Sequence, residues 1–469
     1  MEHLTTLDAG FLKAEDSDPR VSLAIGGLAL LEGPVPDRES LTKTLSQRIR
    51  TCPRFKQRLR LRVFDLGAPE WVDDPDFDLA HHVRRIAVPR PGDNQELFRL
   101  VADVMSRRLD RSRPLWEIWV IEGLAEDRWA MLMKIHHAIA DGIATAHMLA
   151  GLSDRGVANS FAGQIRAAKE PAAPPFRLPG AITDPLSWMS GLWTTSASMT
   201  TAAARAARGA AELAIGLLRP ASSSLNGPVS DLRRYSAARV SLDDIRQVCR
   251  AFDVTINDVA LAALTESYRT LLIRRGERPS ADSLRALVPV SVRAADALAA
   301  AGNRVSVMLP YLPVEIDNPV QRLRVVHSRL SRTKSSGQRQ AGSTAVSVAN
   351  AVPFPLTAWL IRWLTQLPQH GVTTLATNVP GPCEPLHIMG RKVIAVMPVP
   401  PIAMQLRTGV AMLSYADDLF FGILADFDAV PEVDEIARGI EAAVARLVAG
   451  SKRRKTAYGR RGLSLVINA

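Results

Sequence analysis

The chain reads as an α/β protein built from two units. Three observations predict this. Residues 1–150 and 226–450 each mix apolar strand-like runs with amphipathic helical stretches. Residues 151–225 break the pattern: they open on Gly, Ser and Asp, pass Pro171, Pro174, Pro175 and Pro179, and enter an Ala/Ser/Thr-rich stretch. The length of 469 residues also exceeds what one hydrophobic core usually serves.

In the first unit, Val21 to Leu31 (VSLAIGGLALL) is an apolar β-like run. Glu39 to Arg50 reads as a helix that ends near Pro53, and Gln95 to Leu109 as a second helix. Trp116 to Ile121 and Trp129 to Ile135 read as strands. The segment 151–225 is an interdomain connector, with a helix expected over Thr200 to Leu218 and a loop at ASSSLNGP. Trp188 and Trp193 within it mark either packing against a domain or a membrane-facing patch. In the second unit, Leu242 to Cys249 and Val259 to Ile273 read as helices. Leu284 to Val290, Ser306 to Leu312, Gly409 to Tyr415 and Leu419 to Asp426 read as strands, the last two joined by a hairpin at Ala416-Asp417-Asp418. Pro431 to Val448 carries Ile436, Ile440, Val444 and Leu447 at helical spacing and closes the unit. Residues 451–469 form a basic tail, and no short repeat period appears.

Apolar residues make up 47% and charged residues 22%, as in a folded globular protein rather than a disordered one. The net charge is +11, but Lys452, Arg453, Arg454, Lys455, Arg460 and Arg461 supply six of those charges at one end, with no acid among them. Such a tail suits an anionic lipid surface or nucleic acid, or is a solvated end; for the protein as a whole nucleic acid is not the expected partner. Cys52, Cys249 and Cys383 are widely spaced, without a metal-ligand pattern, and read as reduced thiols of a cytoplasmic protein. The N-terminus carries early acids and no apolar run, unlike a secretory signal. Leu186 to Ala204 is uncharged but holds eight Ser or Thr, too polar for a bilayer span. Membrane contact is expected only from the surface.

The chemistry concentrates in Trp129 to Gly142, WAMLMKIHHAIADG. At period two, Trp129, Met131, Met133, Ile135 and His137 share one face, and Leu132, Lys134 and His136 the other. His137 therefore ends an apolar face that points inward, and His136 lies on the side of a lysine. A neutral imidazole in an apolar channel is a good base near neutral pH, because burial disfavours its cationic form. Asp141-Gly142 turns the chain into a helix, with Asp141 near its start. A satisfied core histidine pair with a capping aspartate is the bland alternative. Two adjacent histidines, three residues, then Asp-Gly at a strand-to-helix turn is the more specific signal. His147, on the next helix, is a weak zinc candidate.

His136 to Gly142 matches the HHxxxDG motif of the thioester-dependent acyltransferase superfamily, which includes chloramphenicol acetyltransferase-like enzymes and peptide-synthetase condensation domains. Within it, the chain closely resembles the bacterial wax ester synthase/diacylglycerol acyltransferase family, including actinobacterial triacylglycerol synthases. The likeness runs from LTTLDAGFL near residue 4 to FFGILAD ending at Asp426. It takes in PEWVDDPDFDLAHHV (69–83), LDRSRPLWEIWVIEGL (109–124), NGP (226–228), TINDVALAAL (255–264), VPVSVR (288–293) and TNVPGP (377–382).

The resemblance implies two chloramphenicol acetyltransferase-like α/β domains with the active-site channel between them. It makes His137 the catalytic base and His136 a supporting residue. Asp141 becomes structural, expected to pair with Arg293 rather than with the His137 ring, and Gly142 completes the turn. Pro114, Leu115 and Trp116, and Asn257 and Asp258, fall in motifs near the channel; their plain readings are a core anchor at a strand entry and a helix cap. Asn378, Pro380 and Gly381 belong to a tight loop that either lines the channel or is a structural turn. Thr377 stands where the family often has Ser, and Arg20-Val21-Ser22-Leu23 replaces a usual Met-His pair, departures that bear on substrate preference.

The function implied is acyl-CoA-dependent O-acyl transfer, converting diacylglycerol to triacylglycerol, with wax ester formation on long-chain alcohols as the runner-up. A lipid-surface binding protein with weak catalysis is the alternative of another class. No metal or cofactor is expected, acyl-CoA being a co-substrate. The implied location is cytoplasmic, peripheral to the inner membrane or to lipid droplets.

Overall fold

The computed structural model describes residues 2–49, 53–61, 68–140, 142–155, 223–291, 305–335, 371–403 and 405–466. The connector helix, Trp188, Trp193, Cys52, Asp141 and Arg293 lie outside the described residues.

The first sheet has six strands in the order β12-β13-β2-β7-β6-β5: β2 Ala24–Glu32, β5 Val83–Ala87, β6 Trp116–Leu124, β7 Arg128–His136, β12 His387–Ile388 and β13 Arg391–Val399. A small sheet joins β1 Glu2–His3, β3 Gln57–Arg60 and β4 Glu70–Asp73. The second large sheet runs β10-β9-β11-β14-β15-β8, from β8 Arg233–Ser241, β9 Ala286–Ser291, β10 Val305–Met308, β11 Thr374–Val379, β14 Thr408–Tyr415 and β15 Asp418–Asp426. Among the described residues the α-helices are α1 Thr6–Ser17, α2 Arg38–Ile49, α3 Asn94–Ser106 and α4 Gly142–Gly151, then α5 Leu242–Phe252, α6 Ile256–Arg274, α7 Pro319–Ser335 and α8 Val433–Val466.

The strongly apolar or amphipathic elements fall where the sequence reading puts them. The strand expected over Ser306 to Leu312 is shorter, ending at Met308 before Pro310. The closing helix is longer than Pro431 to Val448 and runs into the basic segment. No proline interrupts that segment, and Lys and Arg are good helix formers. Ser451 is itself buried and accepts from Gln247 Nε2 at 2.8 Å, so the packed helix extends past the start given to the tail.

The two units exchange structure. β13 pairs antiparallel with β2, so residues 387–399, assigned by sequence to the second unit, complete the first sheet. Asp154, at the end of the first half, clamps the β12–β13 turn by accepting from the N–H groups of Met389 (2.8 Å) and Gly390 (2.7 Å). Tyr235 on β8 donates to Pro398 O at 3.0 Å, and Arg233 Nη2 donates to Arg20 O at 2.6 Å. These bonds fix one half against the other close to the strand that carries the histidines.

Candidate active site

β7 is central in its sheet, between β2 and β6, and all but its first residue are buried. The sequence reading gave it one inward face; the structure covers both. Gly26 and Gly27 on β2 mark the two faces, the first against Met105 of α3 and the second against Leu149 of α4. Lys134 pairs with Gly26, which places it under α3. Its Nζ donates to Val104 O at 2.7 Å and to Arg107 O, carbonyls at the C-terminal end of α3 that favour a cation. Burial pushes the Lys134 amine down to about 8.

β7 ends at His136, and the turn His137-Ala138-Ile139 leads into α4. Three backbone bonds hold this turn. His136 N donates to Leu115 O at 3.0 Å, His137 N to Leu23 O at 3.0 Å, and Ile139 N to His136 O at 2.9 Å. Pro114, Leu115 and Trp116 are all buried, and the Leu115 carbonyl is the direct support of the first histidine. Trp116 is locked in turn: its Nε1 donates to Phe55 O at 2.8 Å, and the His82 ring stacks on it with centroids 4.5 Å apart.

The two histidines have different surroundings. His136 is 1% exposed; its Nδ1 accepts the Ala138 N–H at 3.1 Å, which leaves the proton on Nε2, 3.5 Å from Glu15 Oε2. His137 is half-buried, and its ring stacks on Phe11 with centroids 4.2 Å apart and planes 22° apart. The more enclosed imidazole is thus His136, on the lysine side, and the more accessible one is His137. Strand parity does not reach His137, because β7 ends at His136, and helices cover both faces of the strand.

Glu15, also 1% exposed, joins the cluster from α1. Its Oε1 accepts the Leu23 N–H at 3.0 Å, and its Oε2 accepts from Arg111 Nη2 at 2.7 Å. Burial pushes its carboxyl up, but His136, Arg111 and the Leu23 N–H outweigh that and hold it down to about 2. Phe11, Glu15 and Arg111 are not singled out by the sequence pattern, which marks Lys134 only as a neighbour of His136 on one strand face. A signal for α1 existed: Thr5 caps the helix by accepting from Asp8 N at 3.2 Å, a T-x-x-D pattern.

β11 brings the loop from the second half to the same place. Gly142 opens α4, and a Cβ there would lie 2.9 Å from Val379 Cγ2. The half-buried Asn378 precedes Val379, and the half-buried Pro380 follows it. Gly381 N donates to Ser414 Oγ at 3.0 Å, and a Cβ at Gly381 would fall 2.0 Å from Ser414 O, so only glycine fits. Ala416 N donates to Pro382 O at 2.8 Å, tying the β14–β15 hairpin to the loop.

Asp258 makes the contacts of a helix cap, and Asn257 beside it is half-buried. Asp258 forms a capping box with Thr255: its Oδ2 accepts the Thr255 N–H at 2.8 Å, and its own N–H donates to Thr255 Oγ1 at 3.2 Å. His327 Nδ1 also sits 2.8 Å from that oxygen. The helix-cap alternative accounts for this carboxylate. His147 is buried on α4, and no cluster of three or more potential metal ligands is found among the described residues. A cavity of about 450 Å³ lined by Gly33, Glu122, Leu124, Arg128 and Trp129 lies at the far end of β7 from His136, away from this chemistry.

Residues 4–260 match the model of the wax ester synthase/diacylglycerol acyltransferase catalytic domain, and residues 301–447 that of the C-terminal domain of the same proteins. A Mycobacterium tuberculosis protein named as a probable diacylglycerol O-acyltransferase is 63% identical over 467 residues, covering 100% of each chain. The solved structure of the wax ester synthase/diacylglycerol acyltransferase from Marinobacter aquaeolei VT8 matches with a TM-score of 0.65 at 26% identity, covering 96% of this chain and 100% of that one. The first condensation domain of the CDA synthetase shares the fold at 17% identity, with a TM-score of 0.60 over 95% of this chain and 96% of its own.

Proposed function

The chain belongs to the wax ester synthase/diacylglycerol acyltransferase family, and within it we propose that this acyltransferase moves an acyl group from acyl-CoA to the free hydroxyl of a diacylglycerol, with His137 as general base. The observation that carries the acceptor is the 63% identity, over the full length of both chains, to a protein named for that reaction. What supports the base is the geometry of the turn: of the two adjacent imidazoles, His137 is the less buried, while His136 is enclosed against Glu15.

In this reading His137 removes the acceptor hydroxyl proton. The alkoxide oxygen attacks the thioester carbonyl and forms the new C–O bond. The C–S bond breaks as the tetrahedral centre collapses, and the imidazolium returns its proton to the departing thiolate. General base catalysis contributes roughly 10²–10⁴-fold, so holding both substrates in line must supply much of the remainder. No step is routed through a metal or cofactor. The Leu115 carbonyl holds the histidine turn from one side and Val379 meets the start of α4 from the other, which supports assigning Pro114, Leu115 and Trp116, and Asn378, Pro380 and Gly381, to the proposed channel between the halves.

No described helix is long and apolar enough to cross a membrane. Triacylglycerol partitions out of water, so we place the enzyme peripherally at the inner membrane or lipid-droplet surface, with the basic C-terminal segment as a contact. Purified protein given labelled palmitoyl-CoA, with diacylglycerol and hexadecanol in parallel, tests the acceptor. Labelled triacylglycerol in clear excess over wax ester supports the reading. Preference for hexadecanol makes the chain a wax ester synthase, and no transfer to either leaves a lipid-surface binding role.

A further inference from the structure

We infer that α1 positions the histidine turn, with Phe11 and Glu15, one helical turn apart, acting on His137 and His136; the inference rests on His137 being the base. Residues four apart on a helix share a face. Here that face meets both histidines. The Phe11 ring stacks on the His137 ring, nearly parallel to it with centroids 4.2 Å apart, and limits rotation of the imidazole. Glu15 Oε2 stands 3.5 Å from His136 Nε2. Glu15 Oε1 accepts the Leu23 N–H, and the Leu23 carbonyl accepts the His137 N–H, so the carboxylate reaches the second histidine through one residue of backbone.

The rest of the cluster keeps α1 in register. Arg111 Nη1 donates to Asp16 at 2.5 Å and its Nη2 to Glu15. Arg108 Nε donates to Val21 O at 2.9 Å, and its Nη2 to the carbonyls of Glu15 and Asp18. A buried carboxylate is costly unless its charge is matched, and a simple helix anchor has no need of one. At this position both oxygens are engaged with groups that set the histidine turn. Neither Phe11 nor Glu15 is assigned contact with the reacting atoms; both are positioning residues, and their loss should appear in turnover rather than in substrate affinity.

The test is steady-state kinetics of the full chain with labelled palmitoyl-CoA and diacylglycerol, with thermal melts alongside. Glu15→Gln and Phe11→Leu are expected to lower kcat by about 10–100-fold while KM for palmitoyl-CoA stays within about twofold, since small misplacements of a catalytic group cost rates of this order. Phe11→Tyr, which keeps the ring, should restore kcat to within about threefold of wild type. Adding Glu15→Gln to His137→Ala should cost nothing beyond His137→Ala alone. Should Glu15→Gln fail to fold, the Phe11 pair decides. The inference is overturned by kcat within about twofold of wild type in Phe11→Leu and in any folded Glu15→Gln, by KM rising in step with the loss, or by Phe11→Tyr behaving as Phe11→Leu. Wild-type turnover in His137→Ala would instead overturn the base assignment itself.

Discussion

Gly142 and Val379 meet across the two halves of the molecule: a Cβ on the glycine would lie 2.9 Å from Val379 Cγ2. One residue opens the helix after the histidine turn and the other ends β11. The glycine of the His-His-x-x-x-Asp-Gly motif is therefore explained by its neighbour, a branched side chain arriving from the second sheet. The contact couples the position of the histidine turn to the Asn378–Pro382 loop.

Gly142→Ala should consequently damage both stability and transfer. Forcing a methyl group into packed space costs about 1–3 kcal/mol, against about 1 kcal/mol gained by replacing glycine in a helix. Val379→Ala removes the methyl in the way. Thermal melts of both single variants and the double variant check this. The double variant should recover part of the loss, whereas strictly additive losses would show that the two residues do not press on one another.

Glu15 makes the fold sensitive to acid. Its carboxyl sits at about 2 in the folded protein against 4.5 ordinarily, so the stabilisation is full above about pH 4.5 and is lost as pH falls toward 2. The difference corresponds to on the order of 3 kcal/mol for this 1% exposed group. Urea unfolding of wild type and Glu15→Gln between pH 6 and pH 3 should show the gap narrowing as pH falls. A gap that stays constant would contradict the linkage.

Lys134 adds a second dependence of the same sign at alkaline pH. Its amine is pushed down to about 8 from 10.5, so between those values the unfolded chain holds more protons than the folded one. Stability contributed by this site therefore rises with pH through that window. Lys134→Met should remove the dependence, while leaving the carbonyls of Val104 and Arg107 without their donor. Melting curves of both proteins from pH 7 to pH 9.5 read the effect, and parallel curves would refute it.

The C-terminal segment should bind anionic lipid. The cut belongs after Arg454, because Ser451 is buried and Arg454 lies over the Phe252 ring at 5.5 Å. Removing residues 455–469 takes away Lys455, Arg460 and Arg461. At about 1 kcal/mol per basic residue near an anionic surface, binding should weaken strongly while turnover on detergent-dispersed substrate is unchanged. Equal sedimentation of both proteins with phosphatidylglycerol vesicles would remove the lipid role.

Local elements were legible where one periodicity dominated. β7 and β15 read as apolar runs, and α8 announced itself through Ile436, Ile440, Val444 and Leu447. The membership of β13 was not legible, because strand pairing across the chain is set by tertiary packing and not by the run itself. The histidine turn was readable as a motif, yet which histidine is enclosed was not. That depends on α3 covering the Lys134 face and on Glu15 arriving from α1. The capping role of Asp258 was readable from Thr255 and Asp258, three residues apart, and the structure contains that box.

The central claim is that His137 takes the proton from the acceptor hydroxyl, and the most direct measurement is transfer by His137→Ala. Labelled palmitoyl-CoA and diacylglycerol are mixed with equal amounts of folded wild type and variant, and labelled triacylglycerol is quantified with time. The account predicts a loss of about 10²–10⁴-fold in the rate of triacylglycerol formation with an unchanged melting temperature. A folded His137→Ala that forms triacylglycerol at the wild-type rate would contradict it.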